Sequence, residues 1–230
     1  MKKRTSFHRN QNMRGSGWKR DLARIAKAKL SMKPRFKGEA HSPIVDPQGQ
    51  LRLGEYIGPG TQILKRVALL EQGNRDVKPV SIVDKVAEIH DIDYQLASDS
   101  KTKTEQLAKV RKADLDMLKR LKAIKKKKLD KKANIILGEK GIGAKVGIEK
   151  QGKSVGTAVG FALGGPAGAL VGRLLGSKGQ SKLKDIAGPF TNMTLTQKNQ
   201  LKGAKSKANQ ELENSGVGAG LLKKIGSGDY

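Results

Sequence analysis

Asp114 stands where an apolar residue is expected. It falls seven residues after Leu107, four after Val110, four before Leu118 and seven before Leu121, in the middle of an apolar stripe with helical spacing. A carboxylate in such a stripe is costly to bury unless something pairs with it. The fold must therefore bring a partner to that stripe, and His90 is the candidate: it lies seven residues after Val83 and four after Val86, on the apolar face of another helical pattern. A lone histidine there is ordinarily a satisfied core residue. If the two helices pack antiparallel through their stripes, however, the carboxylate orients the imidazole and stabilises its protonated form. Tyr94, one turn after His90, reaches the same carboxylate, while Asp91 is the next residue around the helix and faces elsewhere.

The helices themselves are legible. Ser81 ahead of Ile82, Val83, Val86, Ile89, His90 and Tyr94, with Asp84 and Glu88 near the start, predicts a helix over 81–97. From Thr102 or Thr104 onward, Leu107, Val110, Ala113, Met117, Leu118, Leu121 and Ile124 predict a second over about 103–130, with a lysine-rich end that suits the negative end of the helix dipole. Ahead of both, Tyr56-Ile57-Gly58-Pro59-Gly60-Thr61 forms a glycine loop whose carbonyl oxygens suit a hard cation, with the Asp91 carboxylate to supply the negative charge. Pro34, Pro43 and Pro47, with Gly38 and Gly49, predict an irregular linker before that loop and a domain boundary near 41.

Charge separates the centre from the flanks. Residues 1–40 carry 13 basic and 2 acidic side chains, residues 41–122 carry 14 and 12, and residues 123–230 carry 20 and 7. Cationic flanks favour polyanions, nucleic acid or anionic lipid, because each phosphate neutralised releases counterions. Runs such as Lys2-Lys3-Arg4 and Lys125-Lys126-Lys127-Lys128 fit nuclear-import signals, the plainer reading being a solvated charge run. The absence of cysteine excludes disulfide-stapled secreted enzymes, and the charged start without an apolar stretch predicts a product made inside a cell. Trp18, Leu22, Ile25, Ala26 and Leu30 recur at roughly helical spacing, as in an amphipathic helix that forms on a partner.

Gly152, Gly156, Gly160, Gly164, Gly168, Gly172 and Gly176 recur every fourth position, and nineteen uncharged residues separate Lys153 from Arg173. Glycines four apart line one helix face and let another backbone approach closely, as between helices in lipid. This predicts a membrane-active segment with capacity for self-association, the plainer alternative being a flexible linker. Gly165-Pro166 interrupts it, so a helical hairpin or shallow insertion is as compatible as a straight span. From Ser177 onward Lys, Gly, Ser, Gln and Asn predict a tail that is disordered or orders on a partner.

At these residues the sequence resembles the phospholipase A2 fold in the cysteine-free viral form found in parvovirus minor capsid proteins. The family's calcium loop, Tyr-Leu-Gly-Pro-Gly-Asn, is matched by Tyr56 through Thr61. Its His-Asp-x-x-Tyr helix, after a Pro-x-x-x-x-Asp approach, is matched by Pro79 through Asp84 and then His90, Asp91 and Tyr94. Its Lys-Ala-Asp is matched by Lys112-Ala113-Asp114. The resemblance covers about residues 52–122; Thr61 departs from the usual asparagine, and the apolar run Ile63 to Leu70 implies a short extra helix between loop and catalytic helix.

The resemblance implies a mainly α fold with a calcium loop and two antiparallel helices, to which the glycine period and the composition add a glycine-zipper segment and basic, largely disordered flanks. With the charge blocks and the glycine period, it divides the chain into a basic arm at 1–40, a phospholipase A2-like domain at 41–130, a glycine-rich membrane-active segment at 131–180 and a basic flexible tail at 181–230. The resemblance implies calcium bound by Tyr56, Gly58, Gly60 and Asp91 and catalysis by His90 and Asp114 with Tyr94 in support, while the glycine period predicts membrane contact through Gly156, Gly160, Gly164, Gly168 and Gly172. The function implied is calcium-dependent hydrolysis of the sn-2 ester of phospholipids by a minor virion protein that breaches a host cell or endosomal membrane. Genome or capsid proteins would be held by its basic flanks, with a stage in the host nucleus during assembly. The rival readings are a non-catalytic, basic, membrane-active structural protein and a nucleic-acid condensing protein.

Overall fold

The computed structural model describes residues 17–29, 31–151 and 190–217. Six α-helices and one two-stranded antiparallel hairpin occur among them, in the order α1 (Gly17–Ala28), β1 (Pro43–Val45), β2 (Leu51–Leu53), α2 (Ile63–Glu71), α3 (Ile82–Ser98), α4 (Lys103–Lys127), α5 (Lys132–Gln151) and α6 (Leu195–Asn214). A single 3-10 turn, Arg75–Val77, joins α2 to α3.

The two central helices start where their capping residues stand. The Ser81 hydroxyl accepts the Asp84 amide and the Thr102 hydroxyl accepts the Glu105 amide, each satisfying an orphan first-turn donor. Helix α4 stops at Lys128, which turns left-handed at φ 54°, and the Leu129 amide reaches back to Ile124 O. The two helices run antiparallel. Tyr94 and Ala97 meet Leu107 and Val110 at one end, His90 meets Asp114 midway, and the Val83 amide donates to Asp130 just beyond α4 at the other. Between them Val83, Val86, Ile89, Ile92, Met117, Leu121 and Ile124 form the core, each buried aliphatic side chain contributing about 1.5–3 kcal/mol.

Several expectations are corrected by the structure. The segment read as a linker holds the hairpin, paired Pro43↔Leu53, Ile44↔Arg52 and Val45↔Leu51, and turned by Asp46, which accepts the Gln50 amide at 2.8 Å. The Asn134 side chain bridges it to α5, accepting from Val45 N and donating to Val45 O. The helix expected to await a partner forms as α1 and buries Ile25 against Val45 and Ala133 of the same chain. The boundary expected at 130 falls inside the folded body, because α5 packs on α4.

The tail expected to be flexible is helical over 195–214. A capping box between Thr194 and Gln197 starts α6, and Leu201, Ala208 and Leu212 lie on the side of α3 away from His90. Ion pairs Lys85–Glu211, Lys198–Asp99 and Lys205–Asp93 flank that contact. The short helix expected after the loop is α2. The glycine repeat from 152 to 176, with Gly156, Gly160, Gly164, Gly168 and Gly172, lies outside the described residues. Among those described, no helix is long and apolar enough to cross a membrane.

Candidate active site

The loop is held in shape by one buried carboxylate. Asp84 Oδ1 accepts the amides of Tyr56 and Ile57, each at 2.9 Å, and Oδ2 accepts those of Glu55 at 2.9 Å and Val80 at 3.0 Å. The first turn of α3 thereby grips the start of the glycine loop. Tyr56 is buried and its hydroxyl donates to Val77 O at 2.8 Å. Beneath it Arg66 lies over the Phe36 and Tyr56 rings and pairs with Glu39 and Glu55.

Alternate carbonyls of the loop turn to opposite sides. Ile57 O accepts Ser42 N at 2.8 Å and Pro59 O accepts Ala40 N at 3.0 Å, so residues 40–42 line the loop's back and the domain begins earlier than 41. Tyr56 O and Gly58 O turn the other way and lie 3.4 and 3.3 Å from the Thr61 hydroxyl. Close backbone approach explains the glycines. A Cβ on Gly58 would lie 2.4 Å from Ala40 O, and one on Gly60, where φ is +84°, would lie 2.7 Å from Gly38 O.

Beside the loop, His90 and Asp114 meet as the stripes require. His90 Nε2 donates to Asp114 Oδ1 at 2.8 Å, and the Tyr94 hydroxyl donates to the same oxygen. The His90 and Tyr94 rings stack at a tilt, with centroids 4.3 Å apart. Asp114 is fully buried, and its other oxygen pairs with Lys145 Nζ at 2.9 Å. Lys145 also donates to the Tyr94 hydroxyl and lies over that ring. Burial alone pushes the Asp114 carboxyl up; the His90 hydrogen bond draws it back.

Asp91 comes off the same helix toward the loop. Its Oδ1 is 3.4 Å from His90 Nδ1, and its buried Oδ2 has no hydrogen-bond partner among the described residues. Burial raises the Asp91 carboxyl, opposed chiefly by His90 and by the Thr61 hydroxyl. For His90, burial acts to lower the pKa, but the bonds to Asp114 and Asp91 outweigh it and the imidazole sits above its ordinary value.

The residues present fit a hard cation. Backbone carbonyls of Tyr56 and Gly58 converge with the Asp91 carboxylate on a single hydroxyl, and one carboxylate oxygen is left unsatisfied. Gly60 closes the same loop. No group of three or more His, Cys, Asp or Glu side chains forms a metal cluster among the described residues.

Three contributors escaped sequence reasoning. His41 lies in a stretch whose prolines and glycines predict a linker; Lys145 lies beyond the last apolar stripe; and Thr61 stands out in the sequence only as a departure from asparagine. A histidine immediately before Ser42-Pro43 was the one available signal, and a weak one. A cleft of about 660 Å³ among Val67, Lys78, Lys85, Glu88, Lys207 and Glu211 lies on the other side of α3 from His90 and takes no part in this constellation.

A buried histidine–aspartate pair thus stands next to a glycine loop and a second carboxylate. Residues 49–137 match the family model described as a phospholipase A2-like domain. The chain therefore carries a phospholipase A2-like domain, with α1, most of α5 and α6 outside the matched span. No curated protein and no solved structure matches the chain.

Proposed function

We propose that the protein hydrolyses the sn-2 ester of phospholipids in a calcium-dependent reaction, and that it serves as a minor virion protein breaching a host cell or endosomal membrane. The observation that carries the enzymatic reading is the 2.8 Å bond from His90 Nε2 to the buried Asp114, on a helix whose next residue, Asp91, keeps one buried oxygen without a partner among the described residues.

The chemistry of each residue follows from its contacts. With Nε2–H committed to Asp114, the basic nitrogen of neutral His90 is Nδ1, on the loop side. The carbonyls of Tyr56, Gly58 and Gly60 and the Asp91 carboxylate would hold calcium, which would supply a Lewis acid for the ester carbonyl. His90 Nδ1 removes a proton from water as the water oxygen attacks the ester carbon, and returns it to the departing lysophospholipid oxygen. Asp114 stabilises the imidazolium formed meanwhile, and Tyr94 and Lys145 hold Asp114 still. The Gly58 amide donates to the developing oxyanion, where preorganised donors help most. No covalent intermediate is required.

The basic flanks and the glycine repeat support the membrane and virion parts of this reading, with genome or capsid proteins as the partners of the flanks. Fatty-acid release from mixed phospholipid vesicles tests the enzymatic part. Release by the wild-type protein, abolished by His90→Ala and by excess chelator, is expected; equal release in all three samples eliminates the chemistry. Copurification of the protein with particles tests the virion part, and its absence from them would refute that part.

A further inference from the structure

His41, which belongs to no motif, lies against the glycine loop. It is buried, and its Nδ1 is 2.8 Å from Gly54 O. A carbonyl only accepts, so Nδ1 carries the hydrogen, and Nε2 of the neutral ring carries a lone pair. That lone pair faces Thr61 Oγ1 at 3.2 Å. The same hydroxyl is 3.4 Å from Tyr56 O and 3.3 Å from Gly58 O, and also acts on Asp91. One hydroxyl hydrogen cannot satisfy a carbonyl pair, an imidazole and a carboxylate together. A ring nitrogen fixed by a backbone carbonyl, with its other nitrogen turned to a cluster of oxygen lone pairs, has the arrangement of a metal-ligating histidine with its supporting acceptor.

We propose that His41 Nε2 ligates the cation held by the glycine loop, making this a mixed nitrogen–oxygen site that takes first-row divalent transition ions, manganese among them, in addition to calcium. The inference rests on the cation site of the reading above. Calcium prefers oxygen donors alone, whereas an imidazole ligand raises affinity for first-row transition ions. Glu39 Oε2, 3.9 Å from His41 Nε2, is committed to Arg66 and does not compete for the cation. His41 lies outside the matched span 49–137, so it is a contribution of this chain's own N-terminal segment.

Manganese binding by the full chain tests this without reference to turnover. Electron paramagnetic resonance of free Mn²⁺ gives the affinity, calcium competition shows whether the site is shared, and electron spin-echo modulation detects a directly bound ¹⁴N. The expected result is one calcium-displaceable Mn²⁺ with ¹⁴N modulation. His41→Asn, whose amide still donates to Gly54 O, should lose the modulation and weaken Mn²⁺ binding about tenfold or more, with a smaller change for calcium. His90→Asn should keep the modulation.

A wild-type Mn²⁺ complex without directly bound nitrogen overturns the proposal, whether or not His41→Asn folds. So does modulation that survives in His41→Asn or disappears in His90→Asn. Fatty-acid release measured in parallel separates the two ideas. Nitrogen ligation without any release refutes the hydrolase and leaves the ligand assignment standing; calcium-dependent release without nitrogen ligation does the reverse.

Discussion

Asp84→Asn isolates the link between the catalytic helix and the loop. The wild-type carboxylate is fully buried and accepts four backbone amides, two on each oxygen, at 2.9–3.0 Å. An asparagine can present only one oxygen, so its amide nitrogen must face two backbone donors. Two charge-assisted hydrogen bonds are lost, each at about 1.5–3 kcal/mol, and two backbone donors are orphaned, so a loss of about 3–6 kcal/mol is expected. Against a typical domain stability of about 5–15 kcal/mol that is a large fraction. Urea unfolding followed by far-ultraviolet circular dichroism measures it. Calcium titration of the folded fraction should show weaker binding as well, because Glu55, Tyr56 and Ile57 set the start of the loop. A variant within about 0.5 kcal/mol of wild type, the range of ordinary surface substitutions, with calcium affinity unchanged, would refute the clamp.

Asp114→Asn should lower kcat by about 10²–10⁴-fold, since the imidazole loses the carboxylate that orients it; fatty-acid release under saturating lipid reads this. Nuclear magnetic resonance titration of the metal-free protein should place the His90 midpoint above the ordinary histidine value of about 6.5. The sign for activity follows from the base being the neutral form, so turnover rises with pH. The sign for stability is opposite: the raised folded-state pKa contributes stability that is complete below about 6.5 and lost as pH climbs through the folded value. Lys145→Met removes a cation 2.9 Å from a buried carboxylate. It should cost about 1–3 kcal/mol in urea unfolding and raise the His90 midpoint further; an unchanged midpoint would show that Lys145 does not act on the pair. Gly58→Ala places a Cβ 2.4 Å from Ala40 O and should abolish calcium binding, measured calorimetrically, while leaving helix content intact.

The central helices could be read without coordinates because their information is local. Ser81 and Thr102 cap helices whose apolar residues recur at three- and four-residue steps, and the observed spans, 82–98 and 103–127, lie within a few residues of expectation. Asp114 carried more than local information, since a carboxylate on a buried stripe demands a partner on a neighbouring one. Helix α6 was missed for a physical reason: Leu201, Ala204, Ala208 and Leu212 form a stripe too narrow to stand out among Lys, Gln and Asn, and it is stable through contact with α3. The hairpin was missed because its two strands are three residues each, and much of what holds it comes from Asn134, far along the chain.

By itself, then, the sequence determined the caps, the helical periods, the glycine positions that admit close backbone contact, and the need for an acid–imidazole pair. Tertiary structure alone decided which groups complete that pair and line the loop. Lys145 reaches Asp114, His41 faces Thr61, and Asp84 grips residues 55–57, each joining segments distant along the chain. Such contacts leave no periodic trace, because they depend on how folded segments meet and not on spacing within any one of them.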